Sequence, residues 1–188
     1  MEQVQAIILN LAFPMSLDEI LNIKKHKETQ AVEDIIINAE KMNVGEEYLM
    51  FSWTVPKWIK PGDIVFFMHT KTSKNTINRL KNELKLSNNR YSNEEVDMIR
   101  KELSHGMDIY KKYGGRIFAV GRVGKNPVYE RVSEFESHWK SRIYAYVDDC
   151  YVFENPLPLS EFSSFIKLSC GGSITPVFGG EYNRLKKL

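Results

Sequence analysis

The chain of 188 residues is 43% hydrophobic, 27% charged and 12% aromatic. That is globular composition, which excludes wholesale disorder and fibrous repeats, and at roughly 100–200 residues per domain it predicts a single domain over residues 1–188. The net charge of +2 conceals an uneven distribution: residues 57–125 hold fifteen Lys and Arg against seven Asp and Glu, whereas residues 1–56 hold four Lys against nine acids. Clustered cations displace counterions from phosphates, so a polyanionic partner is expected. No stretch approaches the ~18 consecutive apolar residues of a membrane span, and the N-terminus lacks a signal peptide's basic start and cleavage site. A cytoplasmic chain with no membrane partner is therefore expected. Cys150 and Cys170 are too few for a disulfide framework and read as structural thiols in a reducing compartment.

Residues 6–12 (AIILNLA) predict a buried strand stopped by Pro14. Ser16 with Glu19 forms a capping box that opens a helix to about Lys24. Residues 29–42 place Val32, Ile35, Ile36 and Ala39 on one helical face. Residues 48–55 (YLMFSWTV) are aromatic and β-branched and predict a strand. Lys60-Pro61-Gly62-Asp63 is a turn, with Pro fixing one φ and Gly accepting a positive one. Residues 64–68 (IVFFM) predict a strand buried on both faces.

Residues 71–113 change character. Ile77, Leu80 and Leu84 recur at helical spacing among Lys74, Arg79, Lys81 and Lys85. After a turn at Asn88-Asn89, a second capping box at Ser92 and Glu95 starts a helix carrying Val96, Ile99 and Leu103. This basic helical stretch lies between strand regions and reads as an insertion within the domain. Strands resume at Arg116–Val123, where Gly121 in the interior signals a bulge or a close backbone approach, and at residues 143–153. The prolines of residues 155–158 predict a break. A short helical turn follows Ser160, residues 174–176 are extended, and a last helix starts near Glu181. The expected fold class is α+β, a small, mostly antiparallel β-barrel with peripheral helices and a helical insertion.

Catalytic signatures are thin. His26, His69, His105 and His138 show no metal-ligand spacing, so no metal and no cofactor are expected. There is no nucleophile elbow and no phosphate loop. Asp148 and Asp149 are adjacent and would face opposite sides of a regular strand. The aromatic placement is more informative. Trp53 ends a strand, Trp58 lies in the proline-bounded turn, and Trp139 lies in the segment before residue 143. Aromatic rings at strand ends near cations are what stacking on unpaired bases requires.

Residues 53–69 (WTVPKWIKPGDIVFFMH) resemble the signature of EVE domains of the PUA-like superfamily: a Trp, a proline turn, then Gly-Asp opening an apolar strand. Arg116–Val123 is similar to the following strand of that domain, of the type I-x-A-x-G-x-V. Residues 143–188, with Pro156-Leu157-Pro158, Phe162, Ile174-Thr175-Pro176 and Tyr182-Asn183-Arg184-Leu185, resemble its closing strand, bend and helix. The two helices in the first 47 residues and the 71–113 insertion depart from the pattern. The resemblance to EVE domains, and to their YTH, ASCH and PUA relatives, implies a pseudo-barrel that binds RNA or DNA, in some relatives through a modified base held in an aromatic pocket. By that resemblance Trp53 and Trp58 would lie at the pocket, His69 and Thr70 at its floor or rim, and Trp139 at an opposing wall.

The leading expectation is a non-enzymatic binder of nucleic acid or of a modified nucleoside, with Lys71, Lys74, Arg79, Arg122 and Lys125 on phosphates. One rival is a nucleoside amidohydrolase of the ASCH type, whose Gly-x-Lys-x-x-Glu motif is absent from the chain. The other is a protein-interaction module, with a homo-oligomer formed through the apolar stripe of the 71–113 helices.

Overall fold

A computed structural model describes residues 3–43, 52–87, 89–124, 144–169 and 174–188. In chain order the elements are β1 (Val4–Leu11), α1 (Leu17–Lys25), α2 (Ala31–Asn43), β2 (Ser52–Thr54), β3 (Ile64–His69), α3 (Ser73–Leu86), α4 (Asn93–Tyr113), β4 (Arg116–Val123), β5 (Tyr144–Pro158), α5 (Leu159–Phe162), β6 (Ile174–Phe178) and α6 (Gly179–Leu185). Among the described residues six strands form one sheet in the order β2-β5-β4-β3-β1-β6, curled into a half-barrel. Of their ladders the β1–β3 pair is parallel and the others are antiparallel. The α+β class and the barrel-like sheet expected from sequence are both present, as a mixed sheet.

Both faces of the sheet are covered over β1 and β3, which are therefore apolar almost throughout. One face carries Ile7, Leu9, Leu11, Val65, Phe67 and Val147 and packs on Val32, Ile35 and Ala39 of α2. The opposite face carries Ala6, Ile8, Phe66, Met68 and Ile117, and packs on Phe162, Ile166 and Leu185.

The 71–113 stretch connects β3 to β4, which are hydrogen-bonded neighbours. Two residues can make such a connection in a tight hairpin; here it holds α3 and α4. They are not a free-standing module, however. Ile77, Leu80, Ile99 and Leu103 pack with Phe13 and with Leu17, Ile20 and Leu21 of α1 in a third apolar cluster. The stripe expected to serve an oligomer is thus covered within the chain by α1.

Polar contacts fix the same junction. Glu102 is 3% exposed; Lys24 Nζ lies 2.8 Å from its Oε2, and Gln30 Nε2 donates to its Oε1. Asp18 accepts from Arg90 and, at 2.8 Å, from Tyr91 Oη. Burial, and then the Asp18 bond, push the Tyr91 phenol up to about 12. Both predicted capping boxes form their key bond: Ser16 Oγ accepts from Glu19 N and Ser92 Oγ from Glu95 N.

The predicted break at residues 155–158 is corrected in part. β5 runs on to Pro158, but its pairing jumps: Ala119 faces Val152 whereas Ile117 faces Leu157. Between those pairs β5 holds three more residues than β4, and Pro156, which lacks an N–H, falls within that irregular stretch. Only Ser52–Thr54 of the strand expected at 48–55 falls among the described residues as strand.

Candidate nucleic-acid interface

The sequence-predicted residues divide between the two ends of β3. A six-residue strand spans roughly 17–20 Å, with the Pro56–Asp63 turn before Ile64 and Thr70, Lys71, Lys74 and Arg79 beyond His69.

At the far end His69 is only 2% exposed, so it is an interior group. Its Nδ1 lies 3.0 Å from the Leu11 carbonyl. A carbonyl can only accept, so Nδ1 carries the proton and Nε2 is a lone pair, buried without a partner. Burial depresses the His69 pKa below its ordinary value, and the Leu11 bond offsets this in part. Leu11 O also takes the Thr70 N–H at 2.9 Å, while Thr70 Oγ1 bonds Thr72 Oγ1 at 3.0 Å. Arg79 is committed to Met15 O at 2.6 Å and to Glu83 at 3.2 Å. Lys71 and Lys74 are exposed and, among the described residues, form no ion pair.

Trp53 points inward. Its ring meets Phe67 edge-on at 6.3 Å and packs against the cluster under α2. Trp139 and Lys125 lie outside the described residues, as does Cys170. Cys150 is buried, which pushes its thiol up to about 12 and keeps it protonated and unreactive. No group of three or more His, Cys, Asp or Glu able to hold a metal occurs among the described residues, nor does any helix long and apolar enough to cross a membrane.

The near end is built differently. Trp58 is 47% exposed, whereas Val55 and Ile59 on either side are each only 3% exposed. Those two buried side chains pin the backbone and leave the indole outside. The turn is closed by Ile59 N to Pro56 O at 3.2 Å, Asp63 N to Lys60 O at 3.1 Å and Gly62 N to Val123 O at 2.7 Å. Asp63 Oδ2 accepts from Lys60 N at 2.7 Å. Pro61 followed by Gly62 at φ +87° is the arrangement of a type II turn. A large aromatic ring kept half in water forgoes about 2 kcal/mol of burial, and the rigid turn gives it no route inward.

Cations lie on and beside the same turn. Lys57 and Lys60 flank Trp58 in the turn and are exposed. Arg122 reaches over from β4, with Nη1 3.5 Å from Gly62 O and Nε 3.9 Å from Asp149 Oδ2. The structure therefore brings Trp58 and Arg122 to one turn and places Trp53, His69, Thr70, Lys71, Lys74 and Arg79 elsewhere. Lys57 and Lys60 are not among the residues the sequence singles out by resemblance, although the string PKWIKPGD carries their signal: a Trp between lysines in a proline-bounded turn. Comparison with family models, curated proteins and solved structures finds no match to this chain.

Proposed function

We propose that the protein is a non-enzymatic binder of single-stranded nucleic acid that stacks a base on Trp58 and holds adjacent phosphates with Lys57, Lys60 and Arg122. The observation that carries this reading is an indole left half-exposed by a turn pinned through Val55, Ile59 and Gly62. Stacking on such a ring contributes roughly 1–3 kcal/mol per base and tolerates any base. The cations set affinity and register, as phosphate contacts do. A single strand rather than a duplex is favoured because a paired base has no face free to meet the indole. The resemblance of residues 53–69 and Arg116–Val123 to EVE domains supports the same class of ligand. Selection of a modified base by an aromatic pocket rests on that resemblance alone.

The test is titration of a fluorescent oligothymidylate across a salt series. Binding should weaken with a log–log slope near −2, about 0.7 for each of three phosphates contacted on a single strand. Trp58→Ala should weaken binding about tenfold with the slope unchanged, and Lys57→Ala or Lys60→Ala should each flatten it by about 0.7. No binding at low salt, or full affinity in Trp58→Ala, overturns the reading.

A further inference from the structure

The sheet surface beside the turn carries a second exposed ring, Tyr151, beside the half-buried Phe153, placed there by an irregularity in β5. Ala145 and Val147 face the cluster under α2. Strict alternation would send Asp149 and Tyr151 to the same side. Instead Cys150 and Val152 are found there, because one extra residue enters β5 at Asp149. Arg122 faces Asp148 whereas Val120 faces Tyr151, and Asp149 adopts φ +49°. The bulge reverses the parity and delivers Tyr151 and Phe153 to the opposite face, the one bearing Ile64 and Val120.

Tyr151 is 52% exposed, and its ring is braced by Phe153 at 6.1 Å, tilted by 55°. It lies opposite Val120, two residues along β4 from Arg122 and hence about 6.6 Å further on. Arg122 stands between this ring and the turn whose Gly62 carbonyl it contacts.

We propose that this open face of β4 and β5 is a second stacking subsite, so that one nucleic-acid strand runs from Trp58 past Arg122 to Tyr151. The proposal deepens the reading of the turn and rests on it. Charge and the exposed ring select the occupant. Lys57, Lys60 and Arg122 favour a polyanion, and Tyr151 supplies a flat ring about 6.6 Å along the sheet from Arg122, within the reach of a neighbouring nucleotide of an extended strand. β4 is paired on both sides, with β3 and β5, whereas among the described residues β2 pairs β5 only at Tyr144–Tyr146. Asp149 competes with phosphate for Arg122 and limits affinity.

The experiment compares a dinucleotide with an octanucleotide of thymidylate, by anisotropy, on the full chain and on Tyr151→Ala, Tyr151→Phe, Trp58→Ala and Asp149→Asn. Tyr151→Ala should weaken the octanucleotide about tenfold and the dinucleotide, which the turn alone accommodates, by less than about twofold. Tyr151→Phe should keep full affinity, which separates ring stacking from misfolding. Asp149→Asn, which still tolerates the positive φ, should strengthen the octanucleotide. Equal small effects of Tyr151→Ala on both lengths, with Trp58→Ala still damaging, would overturn the second subsite and leave the turn reading standing. Indifference of both oligonucleotides to Trp58→Ala would overturn the turn reading and this proposal together. Displacement of the octanucleotide by an equal charge concentration of polyglutamate would show a surface selective for acidic chains in general and would overturn base stacking at both places.

Discussion

Gly121 of β4 lies directly beneath Val147 of β5: a β-carbon at residue 121 would stand 2.3 Å from Val147 Cγ1. The two strands touch through a position that admits no side chain. Gly121→Ala should therefore force β5 outward and cost about 1–3 kcal/mol by overpacking, read as a lower midpoint in urea unfolding. Val147→Ala in the same chain should recover part of that loss, because it removes the clashing methyl groups. Independent, additive losses would show that the contact is not the cause.

The bulge at Asp149 sets a second expectation. A positive φ is tolerated by Gly, Asn and Asp and penalised in β-branched residues by roughly 1–2 kcal/mol. Asp149→Gly should preserve stability within about 0.5 kcal/mol, whereas Asp149→Val should lose on the order of 1–2 kcal/mol. Thermal unfolding of the two variants decides the point. Equal midpoints would mean that the strand adopts regular alternation at no cost.

His69 predicts a pH dependence of defined sign. Its folded pKa is depressed by burial, so below its unfolded value of about 6.5 the unfolded chain binds the proton first. The neutral imidazole's contribution is complete above about pH 6.5 and is lost as pH falls through that value towards the folded pKa. His69→Phe should flatten the difference in unfolding midpoint between pH 7 and pH 5. Subtracting the variant from the parent removes every other titration from the comparison. An unchanged slope would mean that the ring is not held neutral.

Glu102, buried between Lys24 and Gln30, links α1 and the residue preceding α2 to α4. Lys24→Met strands a buried carboxylate and should cost about 2–3 kcal/mol, while combining it with Glu102→Gln should restore most of the loss, because the charge is removed and Gln30 keeps an acceptor. Urea midpoints for the single and double variants test this. Additive destabilisation would indicate that the two groups do not act as a pair.

Local chemistry was written plainly in the chain. Ser16 with Glu19, Ser92 with Glu95, and Pro61-Gly62 act within a few residues of themselves, so the helix starts and the turn were legible, as was the signal of close approach at Gly121. The apolar runs at residues 6–12 and 64–68 marked the central strands, because burial on both faces leaves no polar alternation. What only the tertiary structure decided was which rings meet water. Trp53 and Trp58 are five residues apart in similar surroundings, yet one is turned onto Phe67 and the other is held out by Val55 and Ile59. The burial of His69 and its bond to the Leu11 carbonyl likewise depend on β1, 58 residues away in the chain. The faces of Tyr151 and Cys150 followed from a single inserted residue at Asp149, and no period-two reading can foresee a shift that depends on the register of the neighbouring strand. Short-range geometry is encoded by neighbouring residues in sequence; exposure is set by contacts between residues far apart in the chain, and a linear pattern carries no record of them.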